Sequence, residues 1–385
     1  MSSHCPRHRI SVAQAGSIGL LLLLLAICLP RKASAENTLS YKWQRYDESG
    51  DRMRITTQSG MLDAQLPAEL RFKLSGVVDA IAGASPTGQA APAGSDQVPV
   101  GHLTDHRKAW DADLSRQFGR FNVALGYANS REHDYISKGV SINTLTDFNQ
   151  KNTTLLVGYS NLDDNVKVPY AGIYTKKRAD DVVVGITQLI DPETTLTFNI
   201  GYGQARGFLN DQYKVIQKTA QVLPGIFIPF VYPENLPRKR DKESLLLSAN
   251  HAFKDIHGTA EATYRYFHDN EGINSHTIEL AWYQKVGERL ILKPNFRFYD
   301  QTANKYYRVS LDGTDVTPVN LPNGTGAKYT ADYRLSALRT TDVGFKIIFT
   351  VREGLTLDAS IDRYDMRGKD NVTSASAYPK AINYV

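Results

Sequence analysis

The chain has 385 residues, 42% hydrophobic and 22% charged, with 45 Lys and Arg against 40 Asp and Glu. Four of the basic residues (Arg7, Arg9, Arg31, Lys32) precede residue 36, which leaves 41 against 40 beyond it, so the positive charge is no argument for nucleic-acid binding. Both cysteines, Cys5 and Cys28, lie in the same leading stretch, so the rest of the chain offers no disulfide, thiolate nucleophile or cysteine-ligated metal.

In that stretch Arg7, His8 and Arg9 precede an apolar run from Ile18 to Leu29, which ends before Ala33-Ser34-Ala35. A basic start, an apolar core and an A-x-A site predict a secretory signal peptide over 1–35, cleaved after Ala35. A spanning helix needs roughly 20 apolar residues, more than the run supplies. Lipid attachment at Cys28 would put Ile27 where a small residue belongs. No long apolar run follows, so if 36–385 sits in a membrane it does so as one closed barrel domain.

Sixteen segments with strand character follow, near 38–47, 52–60, 69–81, 105–117, 119–131, 134–147, 150–160, 181–190, 193–206, 243–254, 258–268, 274–285, 288–300, 331–351, 355–366 and 375–385. Phe121, Val123, Leu125 and Tyr127 alternate with Asn122, Ala124, Gly126 and Ala128, and Leu196, Phe198, Ile200 and Tyr202 with Thr197, Asn199, Gly201 and Gly203. Between 258 and 299 three such segments follow one another with almost nothing between them. A period of two with one apolar and one polar face fits a soluble sandwich as well as a barrel. The connections discriminate. After even-numbered segments they are short (117–119, 147–150, 191–193, 254–257, 286–288, 352–354), and after odd-numbered ones often long (85–104, 161–180, 207–241, 301–330). The expected fold is an all-β, antiparallel transmembrane β-barrel of about 16 strands, or 14 if the weaker segments fail, with short periplasmic turns and long extracellular loops.

Several strings resemble those of a family of uncharacterised bacterial proteins predicted to be outer-membrane β-barrels. They are DAIAGASPTG (79–88), EHDYIS (132–137), DFNQKNTTL (147–155), GITQLI (185–190), GFLNDQYKV (207–215), YRYFHDNEGINSHT (264–277) and RFYDQTANKYY (297–307). Gln212 and Glu271 stand where that family usually has proline and tryptophan. The resemblance implies the architecture and no activity.

On this topology Asn210, Asp211, Tyr213, Lys214, Arg240, Asp269, His276 and Tyr299 converge at the extracellular mouth, either as a binding or gating site or as a network that holds long loops in place. The connection 207–241 contains the apolar run Ile226 to Tyr232, placed to form a constriction, pack on the rim or meet a partner. The interior face is expected to carry Glu261, Arg265, Glu279, Lys293, Arg297, Lys346, Asp358 and Asp362, whose alternating signs invite cross-strand pairing or line an aqueous path.

No G-x-S-x-G, phosphate-cradling loop or H-E-x-x-H is present, so no enzyme activity, cofactor or metal is expected. His268, Asp269 and His276 are the grouping closest to a catalytic or metal site, and Asp163-Asp164 with Asp180-Asp181 flank a loop without regular calcium-ligand spacing. The composition and pattern favour a porin-like channel for small solutes in a Gram-negative outer membrane. A non-conducting barrel that scaffolds or docks an envelope protein is the alternative, and a surface hydrolase the third. Lipid and lipopolysaccharide are the expected partners, with oligomeric state open.

Overall fold

The computed structural model describes residues 37–50 and 52–385, and the predicted signal peptide lies outside them. Among the described residues there are eighteen strands: β1 (Thr38–Glu48), β2 (Met53–Leu66), β3 (Leu70–Pro86), β4 (Val100–Phe118), β5 (Phe121–Arg131), β6 (Tyr135–Phe148), β7 (Thr153–Val168), β8 (Ile173–Leu189), β9 (Thr194–Gly207), β10 (Val215–Leu223), β11 (Ile226–Pro233), β12 (Lys239–Phe253), β13 (Gly258–Asp269), β14 (Asn274–Val286), β15 (Leu290–Gln301), β16 (Leu338–Arg352), β17 (Leu355–Gly368) and β18 (Lys380–Tyr384). Sixteen form a closed antiparallel barrel, with β9 against β12 and β18 against β1. The other two, β10 and β11, are a separate hairpin within the 208–238 connection. No helix among the described residues is long and apolar enough to cross a membrane.

Each strand turns its apolar alternation outward. Leu125, Ile200, Val343 and Leu357 are all exposed on the outer wall, the inverse of a soluble core. Aromatic rings edge this belt. Phe118, Phe121, Phe148, Phe253 and Trp282 lie near the short-turn end, where Arg120 stacks over Phe121 and Phe148. Trp110, Tyr127, Tyr159, Tyr202 and Tyr264 form an outward set nearer the long loops. The short turns are tight because Gly287 and Gly354 adopt positive φ (62° and 75°), which a side chain would strain.

Two expected long connections contract. Residues 161–180 are mostly strand, since β7 and β8 pair out to Val168 and Ile173 around a four-residue turn, 169–172. The charges that read as loop are cross-strand pairs there: Asp163 with Lys176 (3.3 Å) and Arg178 (3.4 Å), and Asp164 with Lys177 (3.7 Å). Asp180 receives Tyr159 and Asn161, and Asp181 faces Lys242, so the four carboxylates are spread along paired strands. The 85–104 connection shrinks to 87–99. In contrast, 207–241 is not structureless, and β16 and β18 start later than expected, which lengthens their loops to 302–337 and 369–379.

On the inner face, Asn295 Nδ2 of β15 donates to Asp362 Oδ1 of β17 at 3.1 Å, over the intervening β16. Gly344 permits this, because a Cβ there would collide with both side chains. The two faces set opposite tolerances. Leu357→Arg, on the outer wall, is expected to cost about 2–4 kcal/mol near the membrane midplane, whereas Ser360→Arg, three residues on and facing inward, is expected to fold normally. Equilibrium urea unfolding of both variants in lipid vesicles checks this, and equal costs would contradict the face assignment.

Candidate functional site

The long-loop end is covered by a lid whose first member is the strap 208–214. It leaves β9 at Gly207 and reaches β3, six places round the ring of sixteen. On the way Gln212 Nε2 donates to Asp134 Oδ2 (2.5 Å) and the Tyr213 hydroxyl donates to the same carboxylate. At the far side the Val215 amide donates to Thr87 O (2.9 Å), and Lys214 Nζ donates to Ser85 Oγ (3.2 Å) and Pro86 O. Lys214 is buried, and its ammonium stands 5.6 Å over the Tyr333 ring. Burial pulls its pKa down, against the opposing pull of Asp332.

From this strap the hairpin β10–β11 rises and packs its base on the 302–337 loop. Ile216 joins Leu311, Tyr329 and Ala331 in a small apolar core, with Tyr232 and Val316 against it. The roots of the hairpin are tied by polar contacts. Glu234, fully buried, accepts the Asp211 amide at Oε1 and the Thr330 hydroxyl at Oε2 (2.6 Å). Burial, with the Asp332 carboxylate nearby, pushes the Glu234 acid up to about 8. Asn235 donates to Thr325 O (2.7 Å) and Ala327 O (2.8 Å), and accepts the Gly324 amide. Arg334 grips both Asp332 (2.9 Å) and Asp211. Asp332 is buried, yet Arg334 and Lys214 outweigh that burial and hold its carboxyl below the usual range.

A second core of Tyr333, Leu338, Ala377 and Tyr378 joins the lid to the 369–379 loop, which Arg52 fixes by donating to Ser376 O (2.8 Å). A cavity of about 570 Å³ lies between 87–99, 302–337 and 369–379, walled by Tyr307, Tyr333 and a mixture of small apolar and short polar residues.

The eight residues expected at the mouth do not form one constellation. Asn210, Asp211 and Lys214 belong to the strap and its network, with Asn210 Oδ1 accepting the Leu236 amide (2.7 Å). The Tyr213 hydroxyl donates to Asp134, and of the other seven Tyr213 meets Asp211, whose Oδ1 accepts its amide (2.8 Å). Arg240 and Asp269 form a separate inward pair (2.8 Å), extended by Glu271 and Asn304. Tyr299 turns inward and donates to Gln301 (2.6 Å). His276 is on the outer wall, 2.8 Å from the Tyr264 hydroxyl, because its strand position falls on the lipid-side phase. His268 shares that outward phase while Asp269 faces inward, so these three do not gather. The basic run 238–242 likewise divides between faces, with Lys239 on Asp241 (3.1 Å), Arg240 on Asp269 and Lys242 near Asp181 (3.7 Å).

Sequence reasoning missed Glu234, Asn235, Asp332 and Arg334. The signal available was an acid-amide pair directly after an apolar run, with no period to mark it as buried. It also missed Asp105, Glu132 and Asp134, which cluster at the rim and receive the strap through Asp134.

Glu261, Arg265, Glu279, Lys293, Arg297, Lys346, Asp358 and Asp362 share the inward phase of β13 to β17. Arg297 pairs with Glu279 (2.9 Å) and Lys346 with Asp358, while Tyr283 donates to Glu261 (3.0 Å) and lies under Lys293. Arg265 forms no ion pair or hydrogen bond among the described residues. It borders an inner cavity of about 430 Å³ with Ser141, Asn143, Ser160, Ser244 and Lys242. Across it Gly158, Gly201 and Gly203 form a low wall on which the side chains of Asn143, Ser244 and Asp181 lie flat.

No curated protein matches the chain in sequence. Among solved structures, it is similar to the siderophore receptor PirA from Pseudomonas aeruginosa (13% identity, TM-score 0.44, 91% of this chain and 61% of that one). A mutant of the ferric enterobactin receptor PfeA from the same organism gives 14% identity and a TM-score of 0.45 over 91% and 59%. The alcaligin outer-membrane receptor FauA from Bordetella pertussis gives 10% and 0.44 over 88% and 63%. The chain therefore spans about three-fifths of these receptors' length. A family profile described as "Protein of unknown function (DUF3570)" matches residues 25–175 and 171–381, and the chain belongs to that family.

Proposed function

We propose that this protein is a passive channel for small solutes in a Gram-negative outer membrane, exported by a signal peptide cleaved after Ala35 and carrying its lid on the cell surface. The observation that supports this reading is the small-residue wall inside the barrel. Gly126, Gly139, Gly158, Gly185, Gly201 and Gly203 occupy inward positions on β5 to β9. A glycine within a strand costs stability, roughly 0.5–1 kcal/mol against alanine, and contributes nothing to a filled core. The side chains of Asn143, Asn199, Ser244 and Asp181 fold into the places these glycines leave and so stay against the wall, which leaves the width that a channel uses.

Opposite signs elsewhere in the interior largely neutralise one another. Four charged residues border the 430 Å³ cavity; Glu243 is on the outward phase of β12, so on the inner face Lys242 and Arg265 meet the carboxylate of Asp181, an excess of one positive charge there. Small anions carrying several hydrogen-bond acceptors are the favoured solutes. The scaffold reading draws on the lid, whose ordered surface suits docking, and conductance separates the two.

In planar bilayers the folded protein is expected to give stable single-channel steps, and removal of residues 215–233 to raise their conductance. Silence from a barrel shown to be folded by heat-dependent gel mobility would favour docking. Arg265→Glu is expected to move the reversal potential in a salt gradient toward cation preference. An unchanged potential would remove Arg265 from the solute path.

A further inference from the structure

We propose that Glu234 is a proton-operated latch, holding the β10–β11 hairpin down on the lid while its carboxyl carries a proton and loosening it when the proton leaves. The geometry gives the latch three attachments. Glu234 follows the last residue of β11, its Oε1 receives the amide of Asp211 on the strap that leads into β10, and its Oε2 meets Thr330 on the 302–337 loop at 2.6 Å. One side chain thus joins both roots of the hairpin to the loop beneath. Both contacts are donated to Glu234 and by themselves suit the carboxylate. A protonated Oε2 can instead donate to the Thr330 hydroxyl oxygen, so the neutral acid keeps both contacts, and burial beside Asp332 decides between the two forms.

The charges around it leave no place for a further anion. The strap presents Asp211 and Lys214, the 302–337 loop presents Asp332, Arg334 and the Tyr329 phenol, and the β7–β8 turn presents the Tyr170 phenol. Two carboxylates against two cations sum to zero. Ionised Glu234, at 1% exposure, would leave the cluster one negative charge in excess and away from water. Asn235, the next residue, does not titrate and keeps its bonds to Thr325 and Ala327, so the hairpin stays tethered as it loosens.

Glu234 rises from its ordinary 4.5 to about 8 in the closed lid, so between those values the closed form binds more protons than the open one. Closure is therefore fullest below pH ~4.5, weakens about tenfold in the closed-to-open ratio per pH unit, and is lost as pH rises through about 8.

The described residues contain no cysteine, so Gln221→Cys on β10 and Val372→Cys on the 369–379 loop can carry spin labels once Cys5 and Cys28 are removed with the leader or replaced. Distance measurements on the purified barrel in detergent are expected to show one narrow distance at pH 5 and a growing, reversible longer population toward pH 9. Glu234→Gln, which keeps an acceptor for Asp211 and a donor for Thr330, is expected to hold the narrow distance throughout. Identical wild-type distributions at pH 5 and pH 9 would overturn the proposal, as would a Glu234→Gln protein that opens over the wild-type window or is already open at pH 5. If Glu234→Gln fails to fold, the wild-type titration decides alone. The readout is a distance, so it is independent of whether the barrel conducts.

Discussion

A strand in hydrocarbon cannot leave its backbone groups without partners, and this requirement closes the ring. The closure is made by β1 and β18 through four residue pairs, Arg45 with Tyr384 to Glu48 with Ala381, where β1 and β2 share ten. Side chains reinforce the short seam: Gln44 Nε2 donates to Asn383 Oδ1 (2.9 Å) inside, and the Ser49 amide donates to Lys380 O (2.7 Å) at the rim. Once the ring is closed, every residue's phase is fixed as lipid-facing or interior, and the remaining freedom lies in the connections. At one end these are tight turns. At the other they are long enough to cover the mouth.

A cover made of loops meets the same requirement in another form. Its backbone has no sheet ladder to pair with, so buried polar groups must be matched one at a time. Asn235 does this for three backbone groups of 324–327, and Asp269 Oδ1 does it for the amides of Glu271 and Ile273. The apolar part is small, with Ile216, Leu311, Tyr329 and Ala331 as its buried members. Order in the lid therefore rests on hydrogen bonds and ion pairs, which respond to charge in a way that a hydrocarbon core does not. Breaking a pair such as Arg240 and Asp269 leaves a buried charge without its partner, and titrating a buried acid creates one.

The wall was legible from alternation because lipid and lumen impose opposite demands on neighbouring residues of every strand. The sixteen expected segments coincide with the sixteen barrel strands, with many ends extended where pairing runs past the membrane and the starts of β16 and β18 moved later. That displacement explains the misplaced 161–180 loop. Asp163, Asp164, Lys176 and Lys177 look like loop residues, but beyond the bilayer a strand has water on its outer face and no pattern to keep. The hairpin was illegible for a related reason. Ile226 to Val231 are exposed whichever way they point, so the run carries no period, and Pro229 argues against a central strand. In β11 proline is tolerated because its free edge has no neighbour. His276 shows the limit of motif proximity: it is close in sequence to Asp269 and on the opposite face of the wall. The lid network was out of reach because its contacts join distant residues, 129 positions apart for Lys214 and Ser85 and 324 for Arg52 and Ser376.

The strap's course ties the lid to the interior. Running from β9 to β3, it is a chord over the arc β4 to β8, the same arc that carries most of the inward glycines, and it rests midway on Asp134. On the opposite arc, β13 to β17 project long charged side chains that narrow the lumen from their side. In the proposed channel, space beneath the lid is therefore greatest along the glycine wall, directly under the strap. Asp211 lies within that strap and Glu234 holds its backbone, so a change at the hairpin root is felt where the passage is widest. Neither the outer loops nor the interior residues carry this coupling by themselves; it arises because a single chain segment spans the mouth and ends in both.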